Sequence, residues 1–206
     1  EAGFQARTLA PGLYWFMWPW QYGVDMVPFI IIPEGKIGLV LSKDGAEIQT
    51  GRILARKVDC DNFQDATMFL DRNGQRGRQT SFITAGSYRI NTHLFDITLT
   101  DQIVIQENMI GIVTAMDGEP IPIGQIAGKL TEGHNNFQDF DSFLQNGGNR
   151  GLQPQVMLAG SYYINTWAIQ IEQNPMTDVP IGHVGVVISY IGEDGQDVTG
   201  ETFKHG

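Results

Sequence analysis

The sequence predicts an all-β fold: tandem small antiparallel β-modules, each about 74 residues long, stacked in a rod-like array. Three observations lead to this prediction: a long internal repeat, runs of β-branched residues, and turn residues at fixed places within each repeat. The 25 glycines and 9 prolines supply many turns, and a hydrophobic content of 42% suffices for packed cores.

The repeat is clearest between residues 62–97 and 136–171, which share 18 identities in 36 positions without a gap. The best matches are Asn62–Asp65 with Asn136–Asp139, Phe69–Leu70 with Phe143–Leu144, and Ala85–Thr92 with Ala159–Thr166. We therefore divide the chain into a first β-module at 1–54, truncated at its start, a second at 55–127 and a third at 128–203. Residues 204–206 would begin a following module.

Short β-branched runs predict the strands within each module. They are Ile37–Leu41, Ile103–Ile105, Met109–Ala115 and Val184–Ile188. Residues 62–70 and 136–144 fit either a short helical turn or a strand with a wide loop, and we assign them to loops. A repeated turn precedes a strand in every module, and its glycine is expected to adopt positive φ. Its module-defining residues are Gly12, Tyr14, Gly86, Tyr88, Gly160 and Tyr162.

Charge and composition exclude several classes of function. A net charge of −10 argues against nucleic-acid binding, which needs a basic face. The basic residues concentrate between Arg52 and Arg89, where they either help copies of the chain pack together or form a solvated surface of mixed sign. The single cysteine, Cys60, fits a reducing compartment and a buried structural thiol. No run is long enough to span a bilayer as a helix, and no signal peptide is visible. The chain starts without Met and stops in mid-pattern, which predicts a fragment of a longer protein.

The aromatic segment, residues 15–20, departs from the repeat because its counterparts in the next two modules are more polar. Since a strand buries alternate residues, so many consecutive large apolar side chains cannot all face one small core. Three interpretations stay open: a membrane interface, which favours Trp, a protein–protein contact, or packing against a preceding module. The predicted membrane or subunit contact residues are Trp15, Phe16, Met17, Trp18 and Trp20.

No motif indicates catalysis, a cofactor or a metal. The acidic cluster of Asp59, Asp61, Asp65 and Asp71 lacks the EF-hand pattern, so we interpret it as a structural turn. The histidines at 93, 134, 183 and 205 do not pair at metal-ligand spacing and are expected to be surface or satisfied polar residues. No nucleophile elbow is present. We therefore predict a protein that is not an enzyme, with no cofactor and no catalytic residues.

Four stretches resemble the N-terminal region of bacterial SPFH proteins, the band-seven family that includes flotillin-like and stomatin-like members. These stretches are Leu9–Tyr14, Pro33–Val40, Cys60–Asp65 and Gly86–Thr92. The repeated module also resembles the repeats of the major vault protein. The resemblance covers nearly the whole chain and implies a membrane-associated scaffold at the bacterial inner membrane. Such a scaffold forms homo-oligomeric rings or cages and organises membrane microdomains, with itself and the membrane interface as partners.

The coiled-coil region that drives much of the family's assembly is not present, so the resemblance leaves the oligomer order open. An alternative function is a soluble β-repeat binding module. It would display loops such as Asp71–Arg78 and Gln145–Arg150 to a protein or glycan partner.

Overall fold

The computed structural model describes residues 3–18 and 20–188, and it confirms the all-β prediction. The strands are β1 (Ile30–Ile32), β2 (Lys36–Ser42), β3 (Gly77–Ile83), β4 (Gly86–Tyr88), β5 (Phe95–Asp101), β6 (Ile103–Ile105), β7 (Met109–Ala115), β8 (Gly151–Leu152), β9 (Gly160–Tyr162) and β10 (Ile169–Pro175). The two short helices are α1 (Ala66–Asp71) and α2 (Phe140–Gln145). Every pairing between these strands is antiparallel.

The strands form two similar folded units, which we name unit A (residues 30–101) and unit B (residues 103–175). In unit A the three-stranded sheet has the order β3-β2-β5, and β1 pairs with β4. Unit B repeats this plan with the order β10-β7-β8 and the pair β6-β9. The central pairing aligns Lys36 with Asp101 in unit A and Met109 with Pro175 in unit B.

The folded units are offset from the modules defined by sequence. β2 belongs to the module 1–54 but forms its sheet with β3 and β5, which belong to 55–127. In the same way β7, from 55–127, pairs with β8 and β10 from 128–203. Each sheet is therefore assembled across a predicted boundary. The end of the third module from residue 189, and the start of a following module at 204–206, lie outside the described residues.

Unit A leads into unit B through a single residue. β5 ends at Asp101 and β6 begins at Ile103. Between them, the amide of Gln102 donates to the carbonyl of Gly35 at 2.9 Å. The link between the units is therefore tied to the turn that precedes β2.

The segments assigned to loops contain helices, so that assignment was wrong for residues 66–70 and 140–144. In unit A, Asp61, Asn62 and Phe63 adopt left-handed backbone angles, with φ between 51° and 64°. Asp65 follows with a φ of −98° and a ψ of 86°, and its carboxylate caps α1 by accepting from the amide of Met68 at 2.8 Å. The same angles and the same aspartate cap precede α2 in unit B. A helix of six residues has too few turns to show a helical hydrophobic period.

Predicted strands at the centre of the units are confirmed, whereas the one at Val184–Ile188 is not. Ile37–Leu41 lies within β2, and Ile103–Ile105 and Met109–Ala115 are β6 and β7. Residues 184–188 carry no strand assignment. No described strand pairs with these residues, and an unpaired extended segment leaves its backbone groups to water.

Each unit has its own aromatic core. In unit A, the rings of Phe63, Phe69 and Phe95 contact one another at centroid distances of 5.0 to 6.1 Å. In unit B, Phe143 contacts both Phe137 and Phe140. These side chains are almost completely buried, so burial of aromatic area stabilises both units together with the buried aliphatic side chains around them.

Candidate functional site

The aromatic segment is exposed in the described structure. Trp15, Phe16 and Trp20 are 77%, 87% and 80% exposed, and Trp18 and Met17 are 50% and 37% exposed. The rings of Trp18 and Trp20 stack on each other at 5.1 Å. The adjacent side chains of Leu13 and Tyr14 are also exposed to solvent. The segment therefore presents an apolar surface that no other described residue covers. Such a surface on a folded protein normally marks an interaction site.

Two contacts with one imidazole hold the segment on unit A. Phe4, which precedes it, stacks on the ring of His93 at a centroid distance of 4.2 Å. Asp25, which follows it, places a carboxylate oxygen 3.4 Å from Nε2 of the same histidine. The chain therefore meets unit A at His93 both before and after the aromatic segment. The sequence analysis expected this histidine to be a surface or satisfied polar residue, and its side chain is 41% exposed.

An asparagine clamp attaches the preceding residues. The side-chain amide of Asn91 donates to the carbonyl oxygens of Gln5 and Ala6, each at 3.1 Å. One amide group thus holds two successive carbonyls of the passing chain. The clamp contacts only backbone atoms, so it does not depend on the side chains of residues 5 and 6.

The same clamp recurs between unit A and unit B. Asn165, which is 74 residues after Asn91, donates to the carbonyls of Gln79 and Thr80 at 2.9 and 3.0 Å. Residues 79 and 80 in turn lie 74 positions after Gln5 and Ala6. A side-chain pair next to the clamp is also repeated, but with different residues. In the first joint Phe4 stacks on His93, and at the equivalent positions of the second joint Arg78 lies over the Trp167 ring at 5.2 Å. One joint therefore occurs twice in the chain.

A buried carboxylate completes the joint between the units. Asp117 is 1% exposed, and its Oδ2 accepts from the amides of Ile53 and Leu54 at 3.0 and 2.9 Å. Its Oδ1 accepts from Arg52 Nε at 3.0 Å and from the amide of Gly118 at 2.8 Å. This single aspartate satisfies four donors, so its charge is compensated despite complete burial. The side chain of Leu54 packs into the core of unit B.

Sequence reasoning did not single out Asn91, Asn165 or Asp117. A signal existed for the asparagines, since both stand in the repeated Ile-Asn-Thr of Ile90–Thr92 and Ile164–Thr166. Asp117 stands in a repeated Asp-Gly pair, with Asp44–Gly45 as its counterpart, and that pattern indicates a hairpin turn rather than a buried acceptor. Asp44 is exposed and its carboxylate accepts from the amide of Gly45, so the two repeats use the same residue differently.

The basic residues of unit A are mostly engaged within the chain. Arg52, Arg72 and Arg76 form ion pairs with Asp117, Asp59 and Glu47, and Lys36 and Lys43 pair with Asp101 and Asp96. Arg56 donates to the carbonyls of residues 72 and 73, and Arg78 lies over an indole ring. The Arg72 and Arg76 pairs are exposed on both sides, so the concentration of basic charge seen in the sequence forms a solvated surface of mixed sign.

The acidic cluster has the structural roles that the sequence analysis expected. Asp65 caps α1, Asp59 pairs with Arg72, and the carboxylate of Asp61 accepts from Gln64. Within residues 3–18 and 20–188, no three His, Cys, Asp or Glu side chains are grouped to hold a metal ion.

Cys60 and His134 occupy equivalent buried positions in the two units. Burial raises the pKa of the Cys60 thiol, which fits a structural and unreactive cysteine. His134 accepts from the amide of Phe137 through Nδ1 at 2.8 Å, and its Nε2 lies 2.7 Å from the Thr131 carbonyl. Both ring nitrogens therefore have partners. His183 is exposed, and His205 lies outside the described residues.

The backbone angles of the repeated turns explain why these turns contain Gly and Tyr. Gly86 and Gly160 have φ of +155° and +157°, and a tyrosine two residues later covers each glycine so closely that a Cβ would meet its ring. The equivalent Tyr14 also bonds back, donating to the Ala10 carbonyl at 2.8 Å. The expectation of positive φ was wrong for Gly12, because Tyr14 stands further from it and the turn does not pair with a strand.

The loops of the alternative binding hypothesis are tied down. Gln75 is 8% exposed and accepts from the amide of Arg56, and Asn149 is 6% exposed and accepts from the amide of Lys129. A cleft of about 470 Å³ lies between the units, lined by residues of both, including Lys57, Thr80 and Asp141. It is open to solvent.

Comparison of the chain with protein-family models, curated proteins and solved structures finds no match. The resemblance to SPFH and vault-like proteins thus stays a prediction that depends on the four stretches themselves. In the part of the chain that the structure describes, no helix has the length and apolar character needed to cross a membrane.

Proposed function

We propose that this chain is a structural scaffold, a wall segment of a membrane-associated homo-oligomeric ring or cage that organises membrane microdomains. The observation that carries the proposal is the joint that occurs twice, 74 residues apart, once at Asn91 and once at Asn165. The first joint attaches the N-terminal residues to unit A and the second attaches unit A to unit B. In an array built on this joint, successive units would stand in the same relation. Units related in this way stack into a rod-like array.

The joint is suited to an array because its attachment does not depend on which side chains the attached residues carry. The asparagine clamp binds backbone carbonyls, which every unit can offer. The adjacent side-chain pair differs between the two joints, with Phe4 on His93 in one and Arg78 on Trp167 in the other.

Edge strands supply a route to a ring. In the described residues, β5 and β10 are each hydrogen-bonded to a neighbouring strand on one side only. Both occupy the same position in their units, so their open edges recur along the array. A neighbouring protomer that covers these edges would satisfy their backbone groups and remove the risk of aggregation.

The aromatic segment is the proposed membrane contact. Its three indoles and one phenyl ring are half or more exposed, and an indole combines an apolar body with an N–H donor, which suits the headgroup layer. The competing occupants are a partner protein and a preceding module of the same array. The membrane is favoured because Trp, rather than aliphatic residues, dominates the surface.

Liposome flotation tests the membrane contact. The wild-type protein should float with vesicles, and the triple variant Trp15→Ser, Trp18→Ser, Trp20→Ser should lose most of this binding. A matched control removes exposed apolar side chains elsewhere, at Ile123, Ile126 and Leu130, which are 106%, 57% and 65% exposed. Equal flotation of the wild type and the Trp variant would reject the contact.

Assembly is tested separately by mass photometry and negative-stain electron microscopy of the protein extracted from membranes. The proposal predicts large closed particles with a regular number of protomers. A monomer at all concentrations would reject the ring or cage, whatever the flotation result.

A further inference from the structure

We infer that the aromatic segment contacts a zwitterionic lipid surface and gains nothing from anionic headgroups. This inference rests on the proposed membrane contact and adds the class of lipid. It follows from the distribution of charge around the segment, which is unusual for a peripheral membrane surface. Many such surfaces combine apolar side chains with a cluster of Lys and Arg.

The segment itself is almost free of charge. Between Arg7 and Glu34 the only charged residue is Asp25, and its carboxylate lies beside His93. The apolar surface therefore brings one negative group and no Lys or Arg into the contact. An anionic headgroup layer would find no basic partner within these residues.

Unit A does not supply the missing positive charge. Its basic side chains largely form the ion pairs, carbonyl contacts and cation–π contact described above. Arg7, Lys57 and Arg89 are exposed, and their side chains take part in no ion pair of the described residues. Each basic residue close to an anionic surface raises binding about fivefold, and specific recognition of such lipids uses clusters of about four to eight. Three basic residues fall below that number.

The charge of the whole chain opposes an anionic surface. With a net charge of −10, approach to a negative headgroup layer is repulsive at low salt. Trp and Tyr side chains act through a different interaction, because they partition into the interface of uncharged lipids without counterions. The residues that are exposed here thus favour a surface of zwitterionic headgroups.

The test compares vesicles of phosphatidylcholine alone with vesicles in which about one third of the lipid is phosphatidylglycerol. Binding is measured by flotation at neutral pH, at low salt and at a salt concentration of about 0.3 M, which screens surface charge. We expect binding to phosphatidylcholine to equal or exceed binding to the mixture, and to change less than about twofold with salt. The double variant Arg7→Gln, Arg89→Gln should bind as the wild type does, and circular dichroism should show that it is folded.

Two results would overturn the inference in different ways. Binding that rises about fivefold or more with phosphatidylglycerol, and falls with salt or in the double arginine variant, would show an electrostatic contact. The membrane contact would then stand while the choice of lipid would be wrong. No binding to either vesicle would reject the membrane contact as well.

Discussion

Replacing Asp117 by Asn should weaken the joint between unit A and unit B more than any other single isosteric change at a carboxylate. The substitution preserves the shape of the side chain but turns one acceptor oxygen into a donor. Oδ2 accepts from the amides of Ile53 and Leu54, and Oδ1 accepts from Arg52 and Gly118. Each oxygen accepts from two donors, so replacing either one by an NH2 group leaves two donors without an acceptor. The neutral amide also removes the negative charge that pairs with the Arg52 guanidinium.

The magnitude follows from burial. Removing one member of a buried ion pair costs about 3–5 kcal/mol, and a hydrogen bond to a charged group contributes about 1.5–3 kcal/mol. The Arg52 side chain is 29% exposed, so water compensates part of its loss. We therefore expect the free energy of unfolding to fall by about 3 kcal/mol.

Urea denaturation followed by circular dichroism measures this change. With a denaturant dependence of about 1–3 kcal/mol per molar, the midpoint should fall by about 1–3 M. Native-state hydrogen exchange should show faster exchange at the amides of Ile53 and Leu54. The matched control is Asp44→Asn, at the equivalent but exposed position, which should cost less than about 0.5 kcal/mol. Equal losses in the two variants would refute the argument that Asp117 holds the units together.

Three further predictions concern the backbone and the helix cap. Gly118 has a φ of +135° and an added Cβ would lie 2.5 Å from the Gly148 carbonyl, so Gly118→Ala should cost about 2–4 kcal/mol in thermal unfolding. Gly124→Ala, at +91° with open space around it, should cost only about 1 kcal/mol, and equal losses would contradict the clash. Asn136 has a φ of 50°, so Asn136→Val should lower stability in urea by about 1–2 kcal/mol, while Asn136→Gly should be nearly neutral. Burial by itself raises the pKa of Asp139, but hydrogen bonds from Ser142 and the charge of Lys57 outweigh it, so the pKa lies below its ordinary 3.8. The ionised Asp139 therefore contributes its full stabilisation above pH 3.8, and this contribution is lost as the pH falls through the lowered pKa. Asp139→Asn still caps α2 but does not titrate, so its free energy of unfolding should fall less in acid than that of the wild type.

The sequence predicted the features that depend on local pattern. The strands at β2, β6 and β7 follow from their β-branched runs, and the glycine at 86 follows from its place before a strand. The short helices were not predictable from periodicity, because three left-handed residues before Asp65 have no counterpart in ordinary propensities. The pattern Asn-Phe-Gln-Asp, repeated at Asn136, is now explained by that conformation.

Non-local features escaped prediction for a physical reason. The offset between modules and folded units arises because β2 pairs with strands that come about 40–60 residues later, which no local pattern records. The role of Asp117 depends on residues 63 to 65 positions earlier in the chain. The exposure of the aromatic segment was consistent with the sequence, yet only coordinates could show that no described core receives Trp15 or Trp20.

The one-residue connection at Gln102 has a mechanical consequence. A linker of several residues would let neighbouring units pivot. Here only Gln102 separates β5 from β6, and its amide donates to the carbonyl of Gly35. Any bend between the units must stretch that bond together with the clamp at Asn165. The short connection and the clamp therefore both oppose bending between unit A and unit B.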